Sequence, residues 1–197
     1  MIEPESKTSD ASDDELVQQA KDGGRSSFDK LVIRYRKKVY AIAFGMTRNH
    51  SDADDVAQET FLRAYEALGT FKVGYAFRTW LFRIAVNLSI NALKRKGRRV
   101  ETPLDEEVGL ELATQASSDN PGLQTEQKEL GKKIENAVQQ LSPKLRSVFV
   151  LRTLQDLSYE EISRLLHISK GTVMSRLNRA RENLKSMLKE YVENRVE

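Results

Sequence analysis

The stretch SYEEISRLLHISKGTVMSRLNRARENL (158–184) contains two helical patterns separated by a short turn, which predicts a helix-turn-helix. Ser158, with Glu161 three residues later, has the spacing of a capping box and marks the start of the first helix. His167 lies at the predicted turn, where histidine tolerates a left-handed backbone. One narrow arc of the second helix is apolar and is expected to pack inward: Val173, Leu177, Ala180 and Leu184.

The opposite face of the second helix is polar and basic. From Ile162 to Arg181 the chain has five lysines and arginines and no acid. An outward face can reach base edges in the major groove, while flanking arginines can contact phosphates. The outward residues are Thr172, Ser175, Asn178 and Arg179, flanked by Arg176 and Arg181. A helical hairpin with a solvated basic face is the alternative interpretation.

A second basic segment lies upstream, between Ala67 and Val100. It has eight lysines and arginines, no acid, and five of the chain's fourteen aromatic residues. Cationic side chains attract a phosphate backbone and flat rings stack on unpaired bases, so this window predicts a surface for separated nucleic-acid strands. On a helical wheel Arg83, Asn87 and Lys94 share one face, with Trp80 beside it. Core packing is the alternative for the aromatic residues, Phe77 in particular.

The helix predicted over 51–68 is acidic instead. Ser51 and Asp54 have the spacing of a capping box at its start. Asp52, Asp55 and Glu59 share a face, with Gln58 and Asp54 beside it. This face has three interpretations: a solvated surface, a metal site that would need ligands from a second segment, and a docking surface for a basic partner.

Composition places these segments in an all-α fold. The chain has 197 residues, of which 39% are hydrophobic, with few glycines and prolines and no alternating β-branched runs. We expect a disordered N-terminus (1–13), a helical domain (14–98), an acidic flexible linker (99–129) and a helix-turn-helix domain (130–192). Ser142-Pro143 predicts a helix start. Without cysteine there is no disulfide or thiolate metal site, and no apolar run approaches the ~18 residues of a membrane span.

Three segments, in order, resemble one family. SDADDVAQETFLRAYEAL (51–68) is similar to the polymerase-binding helix of bacterial sigma factors. FRTWLFRIAVN (77–87) resembles the segment that melts and reads the minus-ten promoter element in the extracytoplasmic-function (ECF) subfamily. Residues 141–184 resemble the domain of that subfamily that reads the minus-thirty-five element. The resemblance implies an alternative sigma factor with two domains, region 2 over 14–98 and region 4 over 130–192.

The resemblance also implies a role for each matching position. Binding to the clamp helices of the largest subunit of core RNA polymerase is implied for Asp52, Asp55, Gln58 and Glu59. Contact with the opened minus-ten element is implied for Lys72, Tyr75, Phe77, Trp80, Arg83, Asn87 and Lys94. Contact with the minus-thirty-five duplex is implied for Lys170, Thr172, Ser175, Arg176, Asn178, Arg179 and Arg181.

Further partners and the location follow from the same resemblance. It implies contact with the β-subunit flap of the polymerase and inhibition by an anti-sigma factor. It implies no cofactor, no metal, no catalytic residue and no membrane insertion. The expected location is the cytoplasm, or the inner face of the membrane while an anti-sigma factor holds the protein there.

Two other classes of protein fit parts of the sequence. A stand-alone transcriptional regulator would use the helix-turn-helix alone and would leave the basic, aromatic window unexplained. A metal-dependent nuclease would use Asp52, Asp54, Asp55 and Glu59, although carboxylates on a single helix do not close a metal site. The chain has no phosphate-cradling glycine-rich loop to favour a nucleotide-dependent enzyme.

Overall fold

The structure, a computed structural model, describes the main chain of residues 11–72, 76–99 and 121–193, and the side chains of 11–72, 76–96 and 130–189. These residues form α-helices and one short 3-10 helix (Leu68–Thr70), with no strand among them, so the predicted all-α class is confirmed. The helices are α1 (Asp13–Lys21), α2 (Arg25–Thr47), α3 (His50–Ala67), α4 (Phe77–Arg99), α5 (Pro121–Gln140), α6 (Pro143–Leu154), α7 (Tyr159–Leu166) and α8 (Lys170–Glu193).

The first helix begins inside the segment that was predicted to be disordered. Ser12 caps α1, because its hydroxyl accepts a hydrogen bond from the Glu15 amide and the Glu15 carboxylate accepts one from the Ser12 amide. Arg34 on α2 pairs with Asp13 at 2.6 Å and attaches α1 to the bundle. The prediction for 1–13 is therefore wrong at residues 12 and 13, and residues 1–10 lie outside the described part of the chain.

The start of α3 also differs from the prediction. Asn49, and not Ser51, is the N-cap, and its side-chain oxygen accepts a hydrogen bond from the Asp52 amide at 2.9 Å. The physical reason lies in His50, whose ring stacks on Phe44 with centroids 4.5 Å apart and contacts the Tyr40 hydroxyl. This packing draws His50 into the helix and moves the cap one residue before it.

Helices α1 to α4 form a bundle around α2. The buried face of α2 includes Leu31, Val39 and Ile42, each fully buried, and it faces Leu81 and Ala85 of α4. Two buried hydroxyl groups inside this bundle find hydrogen-bond acceptors within their own helices. The hydroxyls of Thr60 and Ser89 donate to backbone carbonyls one turn earlier. The bundle thereby holds α3 and α4 side by side, each with one face outward.

Helices α5 to α8 form the second unit. Ser142 is the N-cap of α6 and Pro143 its first residue, as predicted. The predicted linker over 99–129 is too long at both ends, because α4 continues to Arg99 and α5 begins at Pro121. Proline suits the first turn of a helix, where its missing amide hydrogen has no intrahelical acceptor in any case. Residues 100–120 lie outside the described part of the chain.

The two units pack directly against each other. One continuous apolar cluster contains buried residues of both units, and it runs from Leu31 and Phe82 to Leu151 and Ile162. At the closest approach between α2 and α6, a Cβ atom on Gly45 would lie 2.9 Å from Leu154 Cδ1 and 3.1 Å from Val150. Gly45 therefore permits a helix contact that a larger residue would hold further apart.

One buried arginine joins the two units at that contact. Arg146 of α6 is 6% exposed, and its Nη1 donates to the Met46 carbonyl of α2 at 2.5 Å. Its Nη2 donates to the carbonyls of Leu141 (3.1 Å) and Gln139 at the end of α5. The guanidinium thus satisfies carbonyls at two helix C-termini, where a cation is electrostatically favoured.

Candidate nucleic-acid interface

The helix-turn-helix predicted over 158–184 is present as α7, a tight turn and α8. Ser158 and Glu161 form the predicted capping box at the start of α7. His167 ends α7 with a left-handed backbone (φ 52°), as the sequence predicted. The apolar arc of α8 packs inward, since Val173, Leu177 and Ala180 are at most 1% exposed.

The polar face of α8 is turned outward as a result. Lys170, Ser175, Asn178, Arg179 and Arg181 are exposed, and Thr172 and Arg176 are half-buried. Lys170 pairs with Glu160 of α7, and this bond lowers the pKa of the Glu160 carboxyl. The helix therefore presents a row of donors and acceptors whose spacing suits base edges and phosphates in a major groove.

Sequence reasoning missed the residue that starts this helix. Ser169 is the cap, because its hydroxyl accepts from the Thr172 amide at 3.0 Å and contacts the Thr172 hydroxyl at 2.8 Å. The helix consequently begins at Lys170, two residues before Thr172. A serine followed by two turns of acid-free helix was the signal that could have identified it.

Helix α4 carries the predicted basic strip. Arg83, Asn87 and Lys94 are exposed on one side of the helix, and Lys72 is exposed in the segment before it. Trp80 is half-buried and packs on Phe71, with ring centroids 4.9 Å apart. These residues share two shallow hollows, one lined by Trp80, Arg83 and Asn87 and the other by Lys72, Trp80 and Arg83. An aromatic edge beside cations is a suitable surface for unpaired bases.

One predicted member of this surface is a core residue instead. Phe77 is 1% exposed, and its ring packs against Tyr35 (5.8 Å between centroids) and Phe71 (5.8 Å). A ring enclosed by other rings offers no face to a base, so the assignment of Phe77 to DNA contact is corrected here. Tyr75, also predicted for this site, lies outside the described residues.

The acidic face of α3 lines a groove with α4. Asp52, Asp55, Gln58 and Glu59 form one wall, and Asn91 and Arg95 belong to the other. Asp55 and Gln58 are exposed. Two of the acids have basic neighbours, since Glu59 pairs with Arg63 at 2.6 Å and Asp52 lies 3.6 Å from Lys96. The four predicted docking residues are therefore brought together on one accessible surface.

Ion pairs join the two helical units beside these surfaces. Arg78, in the first turn of α4, donates to the carboxylate of Glu161 on α7. Burial alone would raise the pKa of Glu161, but hydrogen bonds from Ser158 and Arg78 lower it below its usual value. On the far side of the contact, Arg48 pairs with Glu135, and burial lowers the pKa of Arg48. Sequence reasoning identified none of these pairs, because their partners lie 83 and 87 residues apart.

The described ranges contain neither a candidate metal centre nor a helix suited to span a membrane. No group of three or more histidine, aspartate or glutamate side chains in these ranges is arranged to hold a metal ion. None of the helices there combines the length and apolarity that crossing a bilayer requires.

Comparison with known proteins identifies the family. Sigma-70 region 2 matches residues 31–99, and Sigma-70 region 4 matches residues 131–184. The chain is 37% identical to the RNA polymerase sigma-H factor of Pseudomonas aeruginosa, over 89% of this chain and 93% of that protein. It is 36% identical to the ECF RNA polymerase sigma factor SigW of Bacillus subtilis, over 88% and 95% of the two chains.

The chain belongs to the ECF subfamily of bacterial RNA polymerase sigma factors. As an alternative sigma factor, it binds core RNA polymerase, recognises minus-thirty-five and minus-ten promoter elements and promotes strand opening. Region 2 contains the acidic groove and the basic strip, and region 4 contains the helix-turn-helix. We use these two names below for α1–α4 and α5–α8.

A solved structure extends the likeness to both regions of this sigma factor. The sigma factor RpoE of Bartonella quintana, crystallised with the anti-sigma factor NepR, is 25% identical. It superimposes with a TM-score of 0.66 over 82% of this chain and 96% of that one.

Proposed function

We propose that this sigma factor docks on core RNA polymerase through the acidic groove of α3. The residues in contact are Asp52, Asp55, Gln58 and Glu59, and their partner is the clamp-helix surface of the largest subunit. The groove supports this assignment because its carboxylates converge on one accessible face, and charge complementarity gives orientation and a fast association rate. The partner surface must then be basic, and region 4 would contact the β-subunit flap separately.

The DNA-contact residues divide between the two regions in this proposal. Region 2 holds the opened minus-ten strand through Lys72, Tyr75, Trp80, Arg83, Asn87 and Lys94. Region 4 reads the minus-thirty-five duplex through Lys170, Thr172, Ser175, Arg176, Asn178, Arg179 and Arg181. The observation that carries the proposal is that the acidic groove and the basic strip lie on adjoining helices, α3 and α4, and share Asn91 as a lining residue.

The protein acts by binding and catalyses no reaction itself. A surface that binds unpaired bases better than paired bases shifts the duplex toward its opened form by the difference in affinity. The exposed cations of α4 and the half-buried Trp80 provide such a difference, since a base in a closed duplex offers no free face for stacking. The expected place of action is the cytoplasm, together with the polymerase.

An anti-sigma factor is a further proposed partner. The structure of the Bartonella quintana relative contains the anti-sigma factor NepR, and the likeness to that relative extends over both regions. An inhibitor that contacts both regions would reach the basic strip and the helix-turn-helix at once.

Charge reversal in the groove tests the docking assignment. In a pull-down with purified core polymerase, Asp55→Arg should lower the affinity about tenfold or more, because an attraction becomes a repulsion. Glu66→Arg is the matched control, since Glu66 is an exposed acid on the same helix that does not line the groove. Equal losses for both variants, or unchanged affinity for Asp55→Arg, would remove the groove from the docking surface.

A further inference from the structure

Met174 is a large apolar side chain that is exposed on the polar side of α8. It is 46% exposed, whereas its neighbour Val173 is fully buried. A single exposed methionine is common on protein surfaces and by itself indicates no function. This one, however, belongs to the helix whose outward face is proposed to read the minus-thirty-five duplex. It places an apolar group among side chains that otherwise offer hydrogen bonds and charge.

Met174 lies between two of the proposed contact residues on one row of the helix. Residues four positions apart on an α-helix lie on the same side, one turn after the other. Lys170 precedes Met174 by four positions and Asn178 follows it by four, and all three side chains are exposed. Met174 also begins the second turn of α8, and the N-terminal part of a recognition helix is the part that contacts base edges. A duplex bound by Lys170 and Asn178 therefore lies within reach of Met174.

The hydroxyl groups on this face are engaged inside the protein. Ser175 Oγ donates to the Thr172 carbonyl at 3.1 Å, and the Thr172 hydroxyl contacts the Ser169 hydroxyl at 2.8 Å. The Ser175 hydroxyl therefore presents to DNA the lone pairs of its oxygen and not its proton. Nitrogen donors for base edges come from Asn178 and Arg179, and neither group recognises an apolar base substituent.

The chemistry of methionine suits one group in the major groove. The bases present hydrogen-bond donors and acceptors there, together with the C5 methyl group of thymine. A thioether has no donor and is only a weak acceptor, so Met174 gains little from a polar base edge. Its side chain is unbranched and flexible, and it adapts readily to a small apolar surface. The thymine methyl group is therefore the base feature that Met174 fits best.

We propose that Met174 is a specificity-determining residue of this sigma factor, and that it selects a thymine in the minus-thirty-five element by contact with the C5 methyl group. Asn178 follows on the same row, and its amide suits N6 and N7 of adenine. The row from Met174 to Asn178 therefore favours A·T base pairs in the part of the element that it faces. This inference rests on the proposed function of α8 as the reader of that element, and it adds the identity of a base.

Replacement of thymine by uracil tests the methyl contact alone, because the two bases differ only in the C5 methyl group. Holoenzyme made from core polymerase and the full-length protein first retains promoter fragments from a library of the source genome. In a labelled duplex that contains their shared upstream element, each thymine is then replaced by uracil in turn. One of these replacements should lower the affinity of the holoenzyme about fourfold, the effect of one buried methyl group.

Alanine variants show whether that loss belongs to Met174. Holoenzyme with Met174→Ala should bind the thymine duplex about fourfold less tightly than the parent, and it should bind the thymine and uracil duplexes equally. Met187→Ala is the matched control, since Met187 is a second methionine of α8, 40% exposed, that lies further along the helix. This control should retain the full preference for thymine.

The possible results separate the inference from the proposed function. A uracil effect of equal size in Met174→Ala and in the parent would overturn the role of Met174. A shared upstream element without thymine on either strand would overturn it as well, and so would one in which no uracil replacement weakens binding. If the retained fragments share no upstream element, α8 is rejected as its reader, and the inference about Met174 is rejected with it.

Discussion

In the proposed contact with the minus-thirty-five duplex, single side chains on α8 determine which promoters the protein selects. Ser175, Asn178 and Arg179 are exposed on the polar face, while their neighbours Val173 and Leu177 are buried. This division follows from the sequence because a 3.6-residue period places the two sets on opposite faces whatever packs against the helix. The same rule explains why the inward arc was predicted correctly.

Arg179 provides the test of this face. Arg179→Ala should weaken binding to a minus-thirty-five duplex about tenfold or more, since a good base contact contributes about 1–3 kcal/mol of discrimination. Polymerase binding should be unchanged, because Arg179 lies in region 4, away from the α3 groove. Lys185→Ala, which removes an exposed cation further along the same helix, is the control for non-specific charge. A uniform loss of affinity across duplexes of all sequences would mean that Arg179 contacts phosphate only.

The aromatic residues show where residue-level prediction fails. Phe77 and Trp80 lie three positions apart in one acid-free window, and their chemistry suits base stacking and core packing equally. The structure gives the two residues different environments. Phe77 is enclosed by Tyr35 and Phe71, whereas Trp80 lies beside Arg83 in the lining of a surface hollow. The deciding partners come from α2 and from the segment before α4, which periodicity within a single helix cannot reveal.

Helix boundaries could be predicted where one side chain is the sole suitable cap. Ser158 and Ser142 were identified because each precedes a clear helical pattern, with Glu161 or Pro143 in support. The start of α3 was misplaced because Asn49 and Ser51 are both good caps, and the choice depends on the stacking of His50 on Phe44. The start of α5 was misplaced because the acidic composition that indicated a linker continues into the helix.

We expect the loss of the Ser158 side chain and the loss of the Ser142 side chain to lower the stability of the protein by different amounts. The Ser158 hydroxyl accepts a hydrogen bond from the Glu161 amide, so Ser158→Ala should destabilise the protein by about 1 kcal/mol. In a chain of this size that corresponds to a melting temperature lower by about 2–4 °C. Ser142→Ala is the matched control, since the Ser142 side chain makes no capping hydrogen bond. If thermal melts of the two variants shift equally, the hydroxyl bond at Ser158 adds nothing to stability.

At the scale of the whole molecule, the order of the two regions could be predicted and their contact could not. Each region has its own apolar periodicity, and a change of charge sign separates them in the sequence. The contact depends instead on Gly45, whose missing side chain lets α6 pack closely against α2. It also depends on Arg146, for which the sequence predicts a solvated side chain, although the structure buries it against helix C-termini. Neither residue interrupts a helical pattern, so neither gives a local signal.

The contact between the two regions leaves the α3 groove and the polar face of α8 accessible, while α7 lies against the first turn of α4.

The most direct test of the central claim is protein-dependent transcription. Core polymerase would be supplied with the purified protein and a library of fragments from the source genome, and the run-off transcripts would be sequenced. We predict transcripts from a small set of fragments that share two sequence elements, and none when the protein is omitted. If no transcript depends on the protein, although the same core polymerase initiates with another sigma factor, the account is contradicted.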